Sequence, residues 1–182
     1  MSSPIGHSLL GGTAGYLLLP SRQMDGWRML LFILLLANLP DIDYLLGYLT
    51  GNPNQWHQHW THSIFFAVTV SAAVAVWAGI RHSGQAIRLG LTALAILMSH
   101  LLLDTMGRDT RYPFGIQLLW PLDTGFYQAP VTLFPGISKS SSSSTFLSSL
   151  FCLHNLRVVL IELGIFGPMF LGAVLLRRKR QK

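Results

Sequence analysis

The sequence predicts an all-α membrane protein, a bundle of about five hydrophobic helices with the first two short. Three observations predict it. Of 182 residues, 51% are hydrophobic and only 11% are charged. Mean hydropathy is +0.45, whereas a soluble domain carries about a quarter charged residues. Several long apolar runs are separated by short polar clusters, and the whole length suits one integral membrane domain over residues 1–182.

Taken in order, the first two apolar segments, Ser8 to Leu19 and Met29 to Leu39, are short for crossings and end at Pro20 and Pro40. Proline disfavours helix at the residue before it. Three clearer spans follow, Ile64 to Ile80, about Leu89 to Leu103, and Val158 to Leu176, each near the roughly 20 residues that cross a bilayer. Between the last two lies a long connection over residues 105–155. It holds aromatic and proline-bearing stretches suited to a membrane interface, and a serine-rich stretch at 138–149 expected to be a mobile loop.

If all five segments cross, Arg22, Arg28, Arg81, Arg88 and the tail from Arg177 to Lys182 fall on one side, nine basic residues in all. Only Arg108, Arg111, Lys139 and Arg157 fall on the other. The positive-inside rule makes the first side cytoplasmic. The net charge of +6 then reflects a membrane anchor, and nucleic acid is not expected as a partner. The single cysteine, Cys152, excludes an internal disulfide and a thiolate metal cluster.

The same alternation gathers most of the scarce acids and histidines at the opposite face: His7, Asp41 and Asp43, His57 to His62, and His100 with Asp104. His100 and Asp104 stand one helical turn apart on one face, as two ligands of one ion require. Ionisable groups inside an apolar span call for a functional reason. Asp41 and Asp43, two apart after Pro40 in backbone expected to be extended or turning, repel unless a cation lies between them. Thr61 and Ser63 are expected to cap the helix that follows, with His62 in its first turn. His82 falls on the cytoplasmic side, and His154 lacks neighbouring ligands.

Histidine and aspartate without thiolate suit zinc, with manganese or iron as alternatives, and one or two ions. Such ions activate water for attack on an ester or phosphoester. Asp41 or Asp43 is the candidate general base. The candidate metal ligands are His7, Asp41, Asp43, His57, His62, His100 and Asp104. Two other classes use the same residues: a metal ion transporter, and a non-catalytic membrane scaffold or assembly protein. A transporter needs polar positions continuing through the spans, and Ile64 to Ile80 offers only Thr69 and Ser71.

The motifs Gly6-His7-Ser8, Leu39-Pro40-Asp41-Ile42-Asp43, His57-Gln58-His59-Trp60-Thr61-His62-Ser63 and His100-Leu101-Leu102-Leu103-Asp104 resemble, in order and spacing, those of the YdjM-like (DUF457) bacterial inner-membrane metal-dependent hydrolases. The resemblance covers about the first two thirds of the chain. It implies that His57 and His62 are the fixed positions of a motif usually written His-Arg-x-x-Thr-His-Ser, that His59 is variable, and that Gln58 replaces an arginine. The His-x-x-x-Asp element is also similar, more distantly, to zinc-dependent phospholipases C, which implies a phospholipid or lipid-linked phosphoester substrate. Those enzymes carry a further His-x-x-x-Glu pair, whereas Glu162 has Val158 four residues before it.

Overall fold

The computed structural model describes residues 1–19, 26–81, 84–109 and 112–181; Pro20, Arg22, His82 and Arg111 lie outside the described residues. Among the described residues are seven α-helices and no strand. They are α1 (Pro4–Leu18), α2 (Gly26–Asn38), α3 (Asp43–Leu49), α4 (Ile64–Arg81), α5 (Ala86–Met106), α6 (Ser143–Leu150) and α7 (Leu153–Gln181). Short 3-10 turns at Pro40–Ile42 and Trp60–His62 precede α3 and α4.

Three helices, α4, α5 and α7, are long and apolar enough to cross a membrane. A fourth crossing exists if α2 and the segment Pro40–Leu49, bent by 63° at Pro40, count as one span. The 15 residues of α1 extend only about 22 Å, less than the roughly 30 Å of hydrocarbon.

α1 nevertheless sits at the centre. It runs antiparallel to α2 and α5 and parallel to α7, as its contacts with Ile33, Ile96 and Phe170 fix. Such close approach needs small residues. A Cβ at Gly11 would stand 2.8 Å from the Ala37 Cβ, and one at Gly15 would stand 2.6 Å from Ile33. Small residues let helix backbones meet where lipid supplies no hydrophobic force between them.

Both ends of α1 are satisfied by distant side chains. Ser3 caps the start, accepting from the Gly6 N–H at 3.1 Å, while the buried Glu162 of α7 accepts from the Ser3 N–H at 2.9 Å and from its hydroxyl. At the far end the Leu18 and Leu19 carbonyls accept from Arg88 at 3.0 Å and Arg177 at 2.8 Å. Cations at a helix C-terminus oppose its negative dipole end. Arg88 and Arg177 therefore lie at the end of the bundle opposite His7 and its neighbours.

α5 is the interior span. Half of its apolar window is buried, against 17% for α4 and 22% for α7, so His100 and Asp104 face protein rather than lipid. Large exposed residues such as Leu35, Phe65, Val76 and Leu160 form the outer surface.

The serine-rich stretch differs from the expected loop. Ser143–Leu150 is the helix α6, whose buried Phe146 packs against Tyr44 with ring centroids 5.3 Å apart. Elsewhere in the long connection residues 117 and 118 are tied to the histidine segment, with Gln117 N–H donating to the Gln58 carbonyl at 2.9 Å and Ile64 N–H to the Leu118 carbonyl at 3.0 Å.

Candidate metal centre

Local structure places each donor. The helical turn of α5 stacks His100 under Asp104, with Nε2 3.2 Å from Oδ2. The turn at Pro40 is 3-10 helical rather than extended, so Asp41 and Asp43 do not project together; they meet His62 from its two nitrogens. His62 lies in the 3-10 turn before α4 and not within that helix. Ser63 alone caps α4, accepting from Phe66 N–H at 3.1 Å. Thr61 instead donates to Asp43 Oδ2 at 2.8 Å.

Four atoms converge: Asp41 Oδ1, His62 Nε2, His100 Nε2 and Asp104 Oδ2. His62 Nε2 stands 3.5 Å from Asp41 Oδ1, 3.4 Å from Asp104 Oδ2 and 3.3 Å from His100 Nε2. His100 Nε2 stands 3.2 Å from Asp104 Oδ2 and 3.8 Å from Asp41 Oδ1. Four ligands held tetrahedrally at roughly 2.0–2.1 Å stand about 3.3–3.4 Å from one another. The spacing is that of a cation cage and is long for good hydrogen bonds.

The hydrogen-bond inventory agrees. His100 donates its Nδ1–H to the Ala37 carbonyl at 2.7 Å, which leaves the Nε2 lone pair facing the cluster. His62 Nδ1 is 3.1 Å from Asp43 Oδ2, which orients its Nε2 likewise. Asp41 Oδ1 and Asp104 Oδ2 are buried without a hydrogen-bond partner. Buried lone pairs and carboxylate oxygens facing one another are costly without a positive charge between them.

A second group, Asp43, His57 and His62, shares His62 with the first. Here Asp43 is saturated: Oδ1 meets His57 Nδ1 at 2.8 Å, and Oδ2 takes Thr61, His62 and, at 3.2 Å, the Gln58 N–H. His7 comes from α1, its ring stacked on His100 at 3.7 Å and its Nε2 3.3 Å from Asp104 Oδ1. Neither His7 nitrogen makes a hydrogen bond, although the ring is buried.

All seven sequence candidates thus meet in one buried cluster. His59 stays outside, edge-on to Phe126 at 5.3 Å, and His154 binds the Gly136 carbonyl at 2.8 Å. Several participants were not singled out by the sequence. Tyr44 stacks on His57 at 3.9 Å, and Lys139 reaches the Tyr44 hydroxyl and the Met1 thioether. Asp109 accepts from Gln58 Nε2 and from Gly115 N–H, each at 2.8 Å.

Charge is distributed unevenly. Burial and then the Lys139 charge push the His57 imidazole down to about 4, leaving it neutral at pH 7. Burial also pulls Lys139 down to about 8, opposed chiefly by Asp41 and Asp104. For His62, burial is outweighed by Asp43, Asp104 and Asp41, which hold it well above the ordinary histidine value. Those carboxylates favour a proton on His62, and an incoming ion competes with it. Metal affinity is accordingly expected to fall as pH falls through neutrality. Competition titrations with a chromophoric chelator, run on either side of pH 7, check this; a pH-independent affinity would contradict it.

With that geometry in view, the model of the YdjM inner membrane protein family matches residues 1–180. The chain belongs to this family. The match reaches beyond the two thirds of the chain that carry the motifs and includes α7. No curated protein and no solved structure matches the chain. The likeness to zinc phospholipases C has no support from these comparisons. Glu162, too, lies apart from the cluster as the partner of Ser3. Membership of the YdjM family and the three apolar spans place the protein in the inner membrane.

Proposed function

We propose that this protein is a membrane-bound hydrolase that uses one divalent cation, zinc by the chemistry of its donors, to cleave a lipid or other membrane-associated ester or phosphoester. One observation carries the reading: four buried donor atoms, five of their six separations falling at 3.2–3.8 Å, two of them carboxylate oxygens without a hydrogen-bond partner. Asp41, His62, His100 and Asp104 would hold the ion, with the partly exposed Asp41 as the ligand that a water could replace, and the ion would supply Lewis acidity and an activated water.

The remaining residues divide the work. Asp43 positions His57 and His62; with both oxygens occupied and no exposure, it is a poor proton acceptor. Asp41, whose side chain is 15% exposed, is the better candidate to take a proton from the attacking water. His7 braces the far side of Asp104 and His100. The positive-inside rule, applied to the end of the bundle holding Arg88 and Arg177, favours the periplasmic face for the site.

The polar groups below the cluster favour hydrolysis over transport. Ser71 donates to the Ala67 carbonyl at 2.6 Å and Thr92 to the Arg88 carbonyl at 2.8 Å, each within its own helix. They mark no polar route onward for an ion.

Phosphate or fatty-acid release from mixed phospholipid vesicles, by protein stripped with chelator and then reloaded with zinc, manganese or iron, tests the reading. Asp43→Asn is expected to weaken metal binding by roughly 10–100-fold while leaving the helices formed, because it removes the partner that orients two imidazoles. Release that is independent of metal, or absent with every metal and lipid class, would overturn the proposal.

A further inference from the structure

Three cavities meet beside the cluster. The first, ≈ 290 Å³, is polar and lined by Asn54, His57, Gln58, Asp109 and Lys139. The second, ≈ 260 Å³, lies between Asp41, Tyr44, Phe146 and Lys139. The third, ≈ 810 Å³, is an apolar groove between the starts of α1 and α7 and the end of α6, lined by Ile5, Leu150, Leu156 and Val159.

These are parts of one trough. Met1, Ile137 and Lys139 line both the first and the second, while Pro4, Ile137 and Leu150 line both the second and the third. Ile137 borders all three. The groove lies against the start of α7, one of the helices long and apolar enough to cross a membrane, and most of its lining is apolar. Its volume is within the roughly 300–1,000 Å³ of small-molecule sites. At the waist of the trough, Asp41 of the candidate metal set and the ammonium-bearing Lys139 line the same cavity.

The order of chemistry along the trough is polar, cationic beside the cluster, then apolar. That is the order of headgroup, phosphate and acyl chain in a phospholipid. We propose that the trough binds one anionic phospholipid, its headgroup in the polar cavity, its phosphate on Lys139, and an acyl chain in the groove between α1, α6 and α7. The molecule enters sideways from the bilayer. An ammonium in a largely apolar waist forms a charge-assisted contact with a phosphate oxygen, which a neutral lipid does not offer. This deepens the hydrolase reading and rests on it for the purpose of the trough, because it delivers the phosphoester to the side of Asp41.

Binding is measured separately from turnover. The protein in nanodiscs is irradiated with phosphatidylglycerol carrying a diazirine on one acyl chain, and the labelled peptides are mapped. Label is expected on the start of α7, around Leu156 and Val159, and on Ile5. It should fall several-fold in Leu156→Trp, which fills the groove at a residue 55% exposed and so able to accept a larger ring. Unlabelled phosphatidylglycerol should compete several-fold better than diacylglycerol of the same chains, and Lys139→Met should erase that preference.

Label spread evenly over the lipid-facing surfaces of α4 and α7, or unchanged in Leu156→Trp, would overturn the proposal. So would displacement of the probe by inorganic phosphate alone, which would assign Lys139 to a free anion. Metal content of the same samples separates the two readings. Groove labelling in a protein that takes up no metal would leave the lipid site standing and remove the hydrolase. Metal binding with uniform labelling would remove the lipid site only.

Discussion

His62→Ala is expected to reduce bound metal from about one equivalent per chain to background, the largest effect of any single substitution at the site. His62 is the one residue common to both donor groups, with Nε2 among Asp41, His100 and Asp104 and Nδ1 on Asp43. Its removal deletes a ligand and also leaves Asp41 and Asp104 facing each other across a buried gap. His59→Ala, three residues away and packed on Phe126, is the matched control and should retain the metal. Elemental analysis of the detergent-purified variants reads both. The wild type should also lose thermal stability on chelation, a response absent from His62→Ala because no metal remains to be removed.

The second large effect is expected far from the donors. Gly15→Leu forces a Cβ to within 2.6 Å of Ile33, in contact with two of its side-chain carbons, and Ile33 is itself buried. Overpacking of this kind costs about 1–3 kcal/mol or more, and it is relieved by forcing Ile33 into another rotamer in a packed interior or by moving α1 away from α2. His7 rides on α1 and stacks on His100 at 3.7 Å, so the same shift disturbs the site. The expected outcome is a fall in the melting temperature of the solubilised protein together with weaker metal retention. Gly172→Leu on α7, where nothing lies within 4 Å, should change neither. Equal tolerance at both positions would contradict the central placing of α1.

What the sequence could reveal follows from which contacts are periodic. The His100 to Asp104 spacing is fixed by helix geometry alone, so their meeting was legible. So was the sorting of basic residues away from the histidines, since each crossing reverses the chain. The partition between Asp41 and Asp43 was not legible. It depends on a 3-10 turn at Pro40 that sends one carboxylate to Nε2 of His62 and the other to Nδ1.

Contacts between distant parts of the chain left no local trace. Lys139 meets Tyr44 across 95 residues, and Glu162 meets Ser3 across 159. Glu162 draws attention in the sequence as a ligand lacking a histidine four residues earlier, yet its task is to cap α1. The serine stretch read as a loop by composition; α6 forms because Phe146 finds a buried place against Tyr44, a tertiary contact that overrides weak local propensity. The bend after α2 was visible only as a proline.

The central claim is that Asp41, His62, His100 and Asp104 enclose one metal ion. X-ray absorption at the metal edge of the detergent-purified protein tests it most directly. The expected spectrum has about four nitrogen and oxygen neighbours at roughly 2.0–2.1 Å, with the outer-shell scattering of two imidazoles and no sulfur. An edge at background level after reconstitution, or a spectrum of a hydrated ion without imidazole scattering, would contradict it.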